Sequence, residues 1–495
     1  MFKSSFIVMA INMLSRLLGL IREMVIGSMF GASGMTDAYF SATQIPNFFT
    51  TLFGEGSLGT VFIPIYNKGV EEKGKERTNE FVFSVLNLII AFTSTLSIIM
   101  ILFSRQILKI TTVFKNAEVL ETANIMLKIV AFYFLFIALS GVVASLLNNY
   151  KKFAISACTG IVFNLTIIVG TLISKSKFGI YGLGIAYLLS GVFQLTIMLP
   201  QFFKIVKTYK FVFNLKDEYV REMFKLMIPT LIGIFGYQIN EIIDNRFATA
   251  LSEGTSSALK YASRLYLLPI GVFAISLSVV IFPALSKAVV KNQRKKEKNT
   301  IERGLNLLSF LIIPSSTILF GYSREIVTLI YKRGNFDDIG VKITSEALQY
   351  YALGLLFFSS IHLLTRSHYV HKDRKLPVIS SFTAIAINIT LDILLYKQYK
   401  HIGLTIATSF SAMVNYLILL ISLNKQHIRL NNLKYFIFLI ITSFNSLAAF
   451  YISNIIKVSS AGKFQVLISI VIFSIIYLVL CFIIFNILNL YKSRE

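Results

Sequence analysis

The stretch that decides the fold is SFIVMAINMLSRLLGLIREMVIG, residues 5–27. A hydrocarbon core about 30 Å thick needs roughly 20 apolar residues in a helix, so this run can cross it. Arg16, Arg22 and Glu23 interrupt it, which the apolar region of a cleavable signal would not tolerate. The run is therefore expected to stay in place as the first membrane helix. At 1.5 Å per residue from Ser5, Arg16 lies about 17 Å deep, near the midplane. An Arg there costs roughly 2.5–3.5 kcal/mol on insertion scales and needs a partner or water. At 100° per residue Asn12, Arg16, Gly19 and Glu23 fall within about 60° of one another. They line a polar interior, or else Arg16 pairs with Glu23 or with another helix and fixes packing. Arg22 sits about 100° from that stripe, lining an adjacent wall or snorkelling outward.

The rest of the chain extends the pattern. Of 495 residues 55% are hydrophobic and 15% charged, and mean hydropathy is +0.71. A soluble domain carries about 25% charged residues. Fourteen spans are expected, near 5–27, 36–66, 80–103, 121–147, 154–174, 181–203, 223–249, 260–286, 303–321, 342–365, 377–396, 402–423, 433–456 and 464–490. The net charge of +24 suggests nucleic acid, but the basic residues lie between apolar runs rather than on one soluble face. Lys287–Arg303 holds seven, Lys204–Arg221 five and Lys68–Arg77 four. With Arg366–Lys375 these loops share one side, which places both termini in the cytoplasm. Cys158 and Cys481 fall inside apolar runs, which excludes a disulfide scaffold.

The sequence repeats weakly at about 220 residues. Gly182-Leu183-Gly184-Ile185-Ala186 ending in Ser190 matches Gly403-Leu404-Thr405-Ile406-Ala407 ending in Ser411. Val61-Phe62-Ile63-Pro64 before Lys68 resembles Val280-Ile281-Phe282-Pro283 before Lys287, and Asn164-Leu165-Thr166 resembles Asn388-Ile389-Thr390. Six helices separate equivalent points, so the halves share one orientation, a parallel repeat. The expected fold is an all-α polytopic membrane protein. It has two six-helix lobes, 1–210 and 211–430, and two additional helices in 431–495.

Other polar residues stand where they cost energy. Pro46, Gly54, Gly56, Gly59 and Pro64 break the second span, which also holds Asp37 and Glu55. Broken backbone at membrane depth is tolerated where it packs in protein or lines a cavity, so this helix is either a hinge or a kinked packing element. Lys260 and Arg264 lie one turn apart in the eighth span. With Arg16 and Arg22 they offer a cationic interior for a phosphate-bearing substrate, since the guanidinium fork binds phosphate oxygens in pairs. Snorkelling at the interface is the plainer reading of Lys260. Asn388 and Asp392 share a helix face. With Asp244 and Thr408 they suit a small hard cation, although a lone intramembrane Asp can also be protonated or paired. His368-x-x-His371 has metal-like spacing but lies in a basic loop, where solvated histidines are expected. No nucleotide-binding or catalytic motif is evident.

At these residues the chain resembles the MurJ (MviN) family. The resemblance rests on Ser15-Arg16-Leu17-Leu18-Gly19-Leu20-Ile21-Arg22-Glu23, Phe30-Gly31-Ala32, Thr36-Asp37-Ala38-Tyr39-Phe40, Ile45-Pro46-Asn47 and Phe53-Gly54-Glu55-Gly56. It continues in Tyr261-Ala262-Ser263-Arg264-Leu265, Leu268-Pro269-Ile270-Gly271-Val272-Phe273 and Phe282-Pro283-Ala284-Leu285-Ser286. It implies a non-enzymatic flippase of the MOP exporter superfamily in the bacterial cytoplasmic membrane. Such a protein carries lipid II, the undecaprenyl-diphosphate-linked peptidoglycan precursor, from the inner to the outer leaflet by alternating access. It implies lobes around a cationic cavity, a lipid-tail groove on the last two helices, and membrane lipids and peptidoglycan polymerases as partners. Substrate-binding positions carry over to Arg16, Arg22, Arg264, Glu23, Asp37 and Glu55. A sodium site, seen in some members, carries over to Asp244, Asn388, Asp392 and Thr408, with no other cofactor required. The chain departs from the family at Thr50 and Thr51, where arginines are usual, and at Ser263 and Glu23, where Asp is usual. Export of another polyprenyl-linked glycan or amphiphile, or a non-transporting scaffold for wall synthesis, are the competing functions.

Overall fold

The computed structural model describes residues 2–53, 57–207, 209–456 and 465–487, with side chains omitted at 2–6, 52–53, 57, 228–237 and 485–487. The described residues are helical apart from short connections, and the described part of each expected span lies on one helix or on two in succession, those of 260–286 joined by a π turn. Among the described residues, ten helices are long and apolar enough to cross a membrane.

The chain divides into two compact units, Met1–Ser257 with Arg333–Phe336, and Ala258–Lys332 with Asp337–Glu495. The first contains α1 (Phe2–Phe30), α2 (Gly34–Phe53), α3 (Ser57–Lys73), α4 (Lys75–Leu102), α5 (Ser104–Thr111), α6 (Ala117–Val130), α7 (Tyr133–Asn149), α8 (Phe153–Phe178), α9 (Ile180–Val206) and α10 (Glu218–Ala250). Next come α11 (Thr255–Pro269), a π turn over Ile270–Ile275, α12 (Ser276–Val290), α13 (Arg294–Gly321), α14 (Ser323–Tyr331), α15 (Asp338–Val370), α16 (Lys375–Gln426), α17 (Asn432–Ile455) and α18 (Gln465–Ile487). α10, expected to open the second lobe, packs against α2 and α3 in the first unit. The unit boundary therefore falls one helix later than the repeat boundary.

In the first unit α8 lies between α1 and α9, and α7 packs on α9, α3 and α4. Phe62, Tyr66, Phe81, Phe83, Leu146, Leu147, Phe202 and Tyr219 bury one apolar core at the ends of these helices. In the second unit α15 packs along α16 and α13, and α17 and α18 pack on α13 and on each other. Polar contacts that fix the last two helices include Tyr477 Oη donating to the Phe310 carbonyl at 2.9 Å and a Ser446–Thr317 hydroxyl pair at 2.7 Å. Their outer faces leave Phe436, Phe444, Leu447, Tyr451 and Phe482 exposed, as lipid-facing surfaces do.

The repeat reaches into the backbone. Asn116 caps α6 and Asp337, 221 residues later, caps α15, each side-chain oxygen accepting an N–H of the first turn. Short helices α5 and α14 precede them in the same order. Gly179 (φ 54°, ψ −132°) turns the chain from α8 into α9. Lys400, again 221 residues on, holds φ 51°, ψ −132° and breaks α16 into two rods. These two rods are the eleventh and twelfth expected spans.

Candidate functional site

α1 carries two arginines whose surroundings differ. Ser15 and Gly19 face Gly160 and Asn164 of α8, and a Cβ on Gly160 would come 2.5 Å from the Ser15 hydroxyl. Small residues of this kind let two membrane helices approach closely. Asn164 uses the closeness fully: its amide donates to the carbonyls of Ser15 and Gly160, both at 2.9 Å, and its Oδ1 accepts Arg22 Nη1 at 3.0 Å. Arg22 Nη2 bonds Glu23 Oε1 at 2.5 Å. The Arg22 guanidinium lies 5.0 Å from the centre of the Phe163 ring. Behind Phe163, Tyr187 packs on Tyr133 and Tyr39, and donates to Asn47 Oδ1 at 2.5 Å. Arg22 and Glu23 are thus buried, 8% and 1% exposed. Arg22 does not snorkel, and the acid expected beside Arg16 pairs with Arg22 instead.

Arg16 stands apart. Six residues earlier on the same helix, its side chain is exposed and makes no ion pair among the described residues. A cation in that state at midspan is available to an anionic ligand. Arg264, in the second unit, is likewise exposed on α11, just before the π turn at Ile270–Ile275. π turns cluster at functional positions because one extra residue re-aims the helix face. Ser263, at the position where Asp is usual, donates to the Lys260 carbonyl at 2.8 Å. Lys260 is half-buried.

Asp37 is 2% exposed and holds backbone. Its Oδ2 accepts the Gly254 N–H at 2.6 Å and its Oδ1 the Ser257 N–H at 2.7 Å, at the first turn of α11. A carboxylate is favoured there because the helix start presents unpaired N–H groups and positive partial charge. Gly254 has φ 83°, and a Cβ would lie 2.3 Å from the Ala32 carbonyl. Gly31 (φ 71°) is as tightly held, by the Asn335 carbonyl at 2.4 Å from its would-be Cβ. These contacts account for the Phe30-Gly31-Ala32 and Asp37 motifs as one backbone clasp.

Thr50 and Thr51 donate back to the carbonyls of Pro46 and Asn47, at 2.9 and 3.1 Å, around the Pro46 interruption. Glu55, with Gly54 and Gly56, lies outside the described residues. The four cation-site positions divide between the units. Asp244 is half-buried in the first, with Asn240 donating to it at 3.3 Å. Asn388 and Asp392 are 1% and 0% exposed on the first rod of α16, and Thr408 on the second rod donates to the Leu404 carbonyl.

One expectation is corrected outright. His368 is fully buried, not solvated. It lies on the last turn of α15, bonded to Asp373 at 3.1 Å and to the Leu419 carbonyl at 3.1 Å. The helix simply runs past the expected span end at 365, carrying His368 under the second rod of α16. Sequence reading also missed Asn164 as the residue that positions Arg22. Its signal was an amide in an otherwise apolar span, recurring as Asn388.

Comparison with known proteins extends these findings to the whole chain. The family model described as "Lipid II flippase MurJ" matches residues 26–489. "Probable lipid II flippase MurJ" of Buchnera aphidicola subsp. Schizaphis graminum is 31% identical over 441 residues, covering 88% of this chain and 86% of the relative. That of Aquifex aeolicus is 33% identical over 391 residues, covering 78% and 75%. The solved structure titled "Lipid II flippase MurJ, inward closed conformation" is similar at a TM-score of 0.84 and 30% identity, covering 98% of this chain and all of that one. An inward-facing MATE transporter of the MOP superfamily, 14% identical with a TM-score of 0.70 over 85% of this chain and 99% of that one, shares the fold. The chain belongs to the MurJ lipid II flippase family.

Proposed function

We propose that this protein translocates lipid II from the inner to the outer leaflet of the bacterial cytoplasmic membrane by alternating access. The observation that carries the reading is Arg16: a charged, exposed guanidinium at midspan, in a chain that belongs to a lipid II flippase family. The insertion cost of such a group is returned when it meets water, a partner or an anion, and an anionic substrate supplies the last of these. Arg16 and Arg264 are assigned to the diphosphate. Arg22, Glu23 and Asn164 are assigned to positioning, as the rigid wall against which Arg16 works. The exposed apolar face of α17 and α18 is assigned to the polyprenyl tail. The distribution of basic segments, above all Lys287–Arg303, supports a cytoplasmic position for that side of the protein and for both termini. Peptidoglycan polymerases are the partners that would consume the flipped product.

A cation is proposed to bind in the second unit through Asp392, Asn388 and Thr408. Asp392→Asn should then abolish any sodium-dependent change in stability or rate; an unchanged sodium response removes the proposal.

Rescue of a host depleted of its own lipid II flippase tests the main reading. Wild type should restore growth, and Arg16→Ala and Arg264→Ala should not, at normal membrane levels. Rescue by both variants would favour a scaffold role instead. Lysis with the wild type present would favour a different polyprenyl-linked cargo, which Ser263 and Thr50 in place of charged residues would suit.

A further inference from the structure

We propose that His368, Asp373 and His427 form a divalent transition-metal site, of zinc type, that ties the end of α15 to the end of α16. One ligand atom from each residue lies within 4.8 Å of the other two. His368 Nε2 faces the Leu419 carbonyl at 3.1 Å, and a carbonyl oxygen only accepts, so Nε2 bears the hydrogen. Nδ1 is directed at Asp373 Oδ2, also 3.1 Å away. A proton on Nδ1 or a metal ion can join the two atoms, and a second imidazole at the same carboxylate oxygen favours the metal. His427 Nε2 approaches the same Oδ2 at 3.4 Å. With metal–ligand bonds of about 2.0–2.1 Å, tetrahedral ligand atoms stand about 3.3 Å apart, close to both separations.

The surroundings are those of a metal site. The Leu419 carbonyl fixes the His368 tautomer, as outer partners of metal-bound histidines do. Asp373 Oδ1 accepts the Leu376 N–H at 3.1 Å, which leaves Oδ2 to face the histidines. The His371 ring lies flat on His427, centroids 4.3 Å apart and planes 4° apart, and its own Nε2 is held by Glu297 at 2.7 Å. His368 is sealed, whereas the side chains of His427 and Asp373 keep 16% and 17% of their surface open. That opening gives entry for an ion and room for a water as fourth ligand. Two imidazoles and one carboxylate select a first-row ion such as zinc over magnesium or calcium, which prefer oxygen.

The turn itself does not need these residues. Lys151 and Lys372 both hold φ 61°. Lys152 N–H bonds the Leu147 carbonyl in one turn and Asp373 N–H bonds the His368 carbonyl in the other. The same backbone closes in the first unit with Leu147 and Lys152 where the second has His368 and Asp373.

The test uses the full chain without a polyhistidine tag, purified in detergent and stripped with a chelator. Zinc titration by calorimetry should show one ion per chain. Cobalt substitution should give the absorption bands of a tetrahedral nitrogen–oxygen site, abolished by zinc. His427→Ala and Asp373→Asn should each weaken zinc binding at least tenfold with an unchanged elution profile. His401→Ala, which removes a separate histidine paired with Glu346, should leave binding as it is. The proposal is overturned if wild type takes up no stoichiometric zinc or gives no tetrahedral cobalt spectrum. It is equally overturned if His427→Ala and Asp373→Asn bind zinc like the wild type, or if His401→Ala is the variant that loses it.

Discussion

Two turns, 147–152 and 368–373, have one backbone and two chemistries. Both end a helix with a lysine in the left-handed region and the same pair of crossed hydrogen bonds. In the first unit the turn buries Leu147 in an apolar core; in the second it buries His368 against a carboxylate and a second histidine. The same contrast runs through the repeat. Asn164 in α8 supports an Arg–Glu pair, whereas Asn388 in α16 stands beside Asp392. Gly179 makes a turn without a side chain, and Lys400 makes the same turn with one. The scaffold is held in common, and function has to be sought where matched backbone carries unmatched side chains. Arg16 and Arg22 show the same lesson within one helix: the exposed cation acts on something outside, and the buried one acts on its neighbours.

The contrast is sharpest in Arg22→Ala, which should strand Glu23 in a buried site and destabilise the protein by about 3–5 kcal/mol. Thermal unfolding in detergent and membrane levels report it, whereas Arg16→Ala should leave both near wild type and abolish rescue. Equal stability of the two variants would erase the distinction between them. Asp37→Ala removes a carboxylate from two backbone donors and should cost about 3 kcal/mol, since hydrogen bonds to charged groups contribute about 1.5–3 kcal/mol each. Asp37→Asn should lose less, because an amide oxygen still accepts one of the two. Asn164→Ala should cost about 2 kcal/mol by leaving Arg22 short of an acceptor. If Asn388→Ala proves equivalent in every readout, the two halves have not diverged there. The smallest effect belongs to the matched turns. Lys400→Gly should stabilise by about 1 kcal/mol by relieving positive φ, and Gly179→Ala should destabilise by about as much. A Cβ at Gly179 meets nothing within 4 Å, so the backbone alone sets the result.

The sequence showed the fold in its apolar runs, because 20-residue periods are set by the bilayer and survive without tertiary detail. The repeat was visible through Gly182 and Gly403, where close packing forces the residue type. A Cβ at Gly182 would meet Ser174 at 2.2 Å, and one at Gly403 would meet the Leu395 carbonyl at 2.8 Å. The site was visible only as a set of costly residues. That Arg16 is open and Arg22 closed depends on where α8 lies, which no spacing along α1 encodes. A carboxylate that holds backbone and one that meets substrate look alike in sequence, and the described partners of Asp37 are backbone N–H groups 217 and 220 residues away. His368 was misread for the same reason, since its burial is supplied by Leu419 and His427 from the far end of α16.

The central claim is that Arg16 acts on a lipid diphosphate rather than on the fold. The most direct measurement is the leaflet distribution of lipid II in cells depleted of their own flippase and expressing this protein or its Arg16→Ala variant at matched levels. Wild type should bring lipid II to the outer leaflet, and Arg16→Ala should leave it facing the cytoplasm with the protein folded and inserted. Outer-leaflet lipid II in the Arg16→Ala cells, equal to that with wild type, would contradict the account.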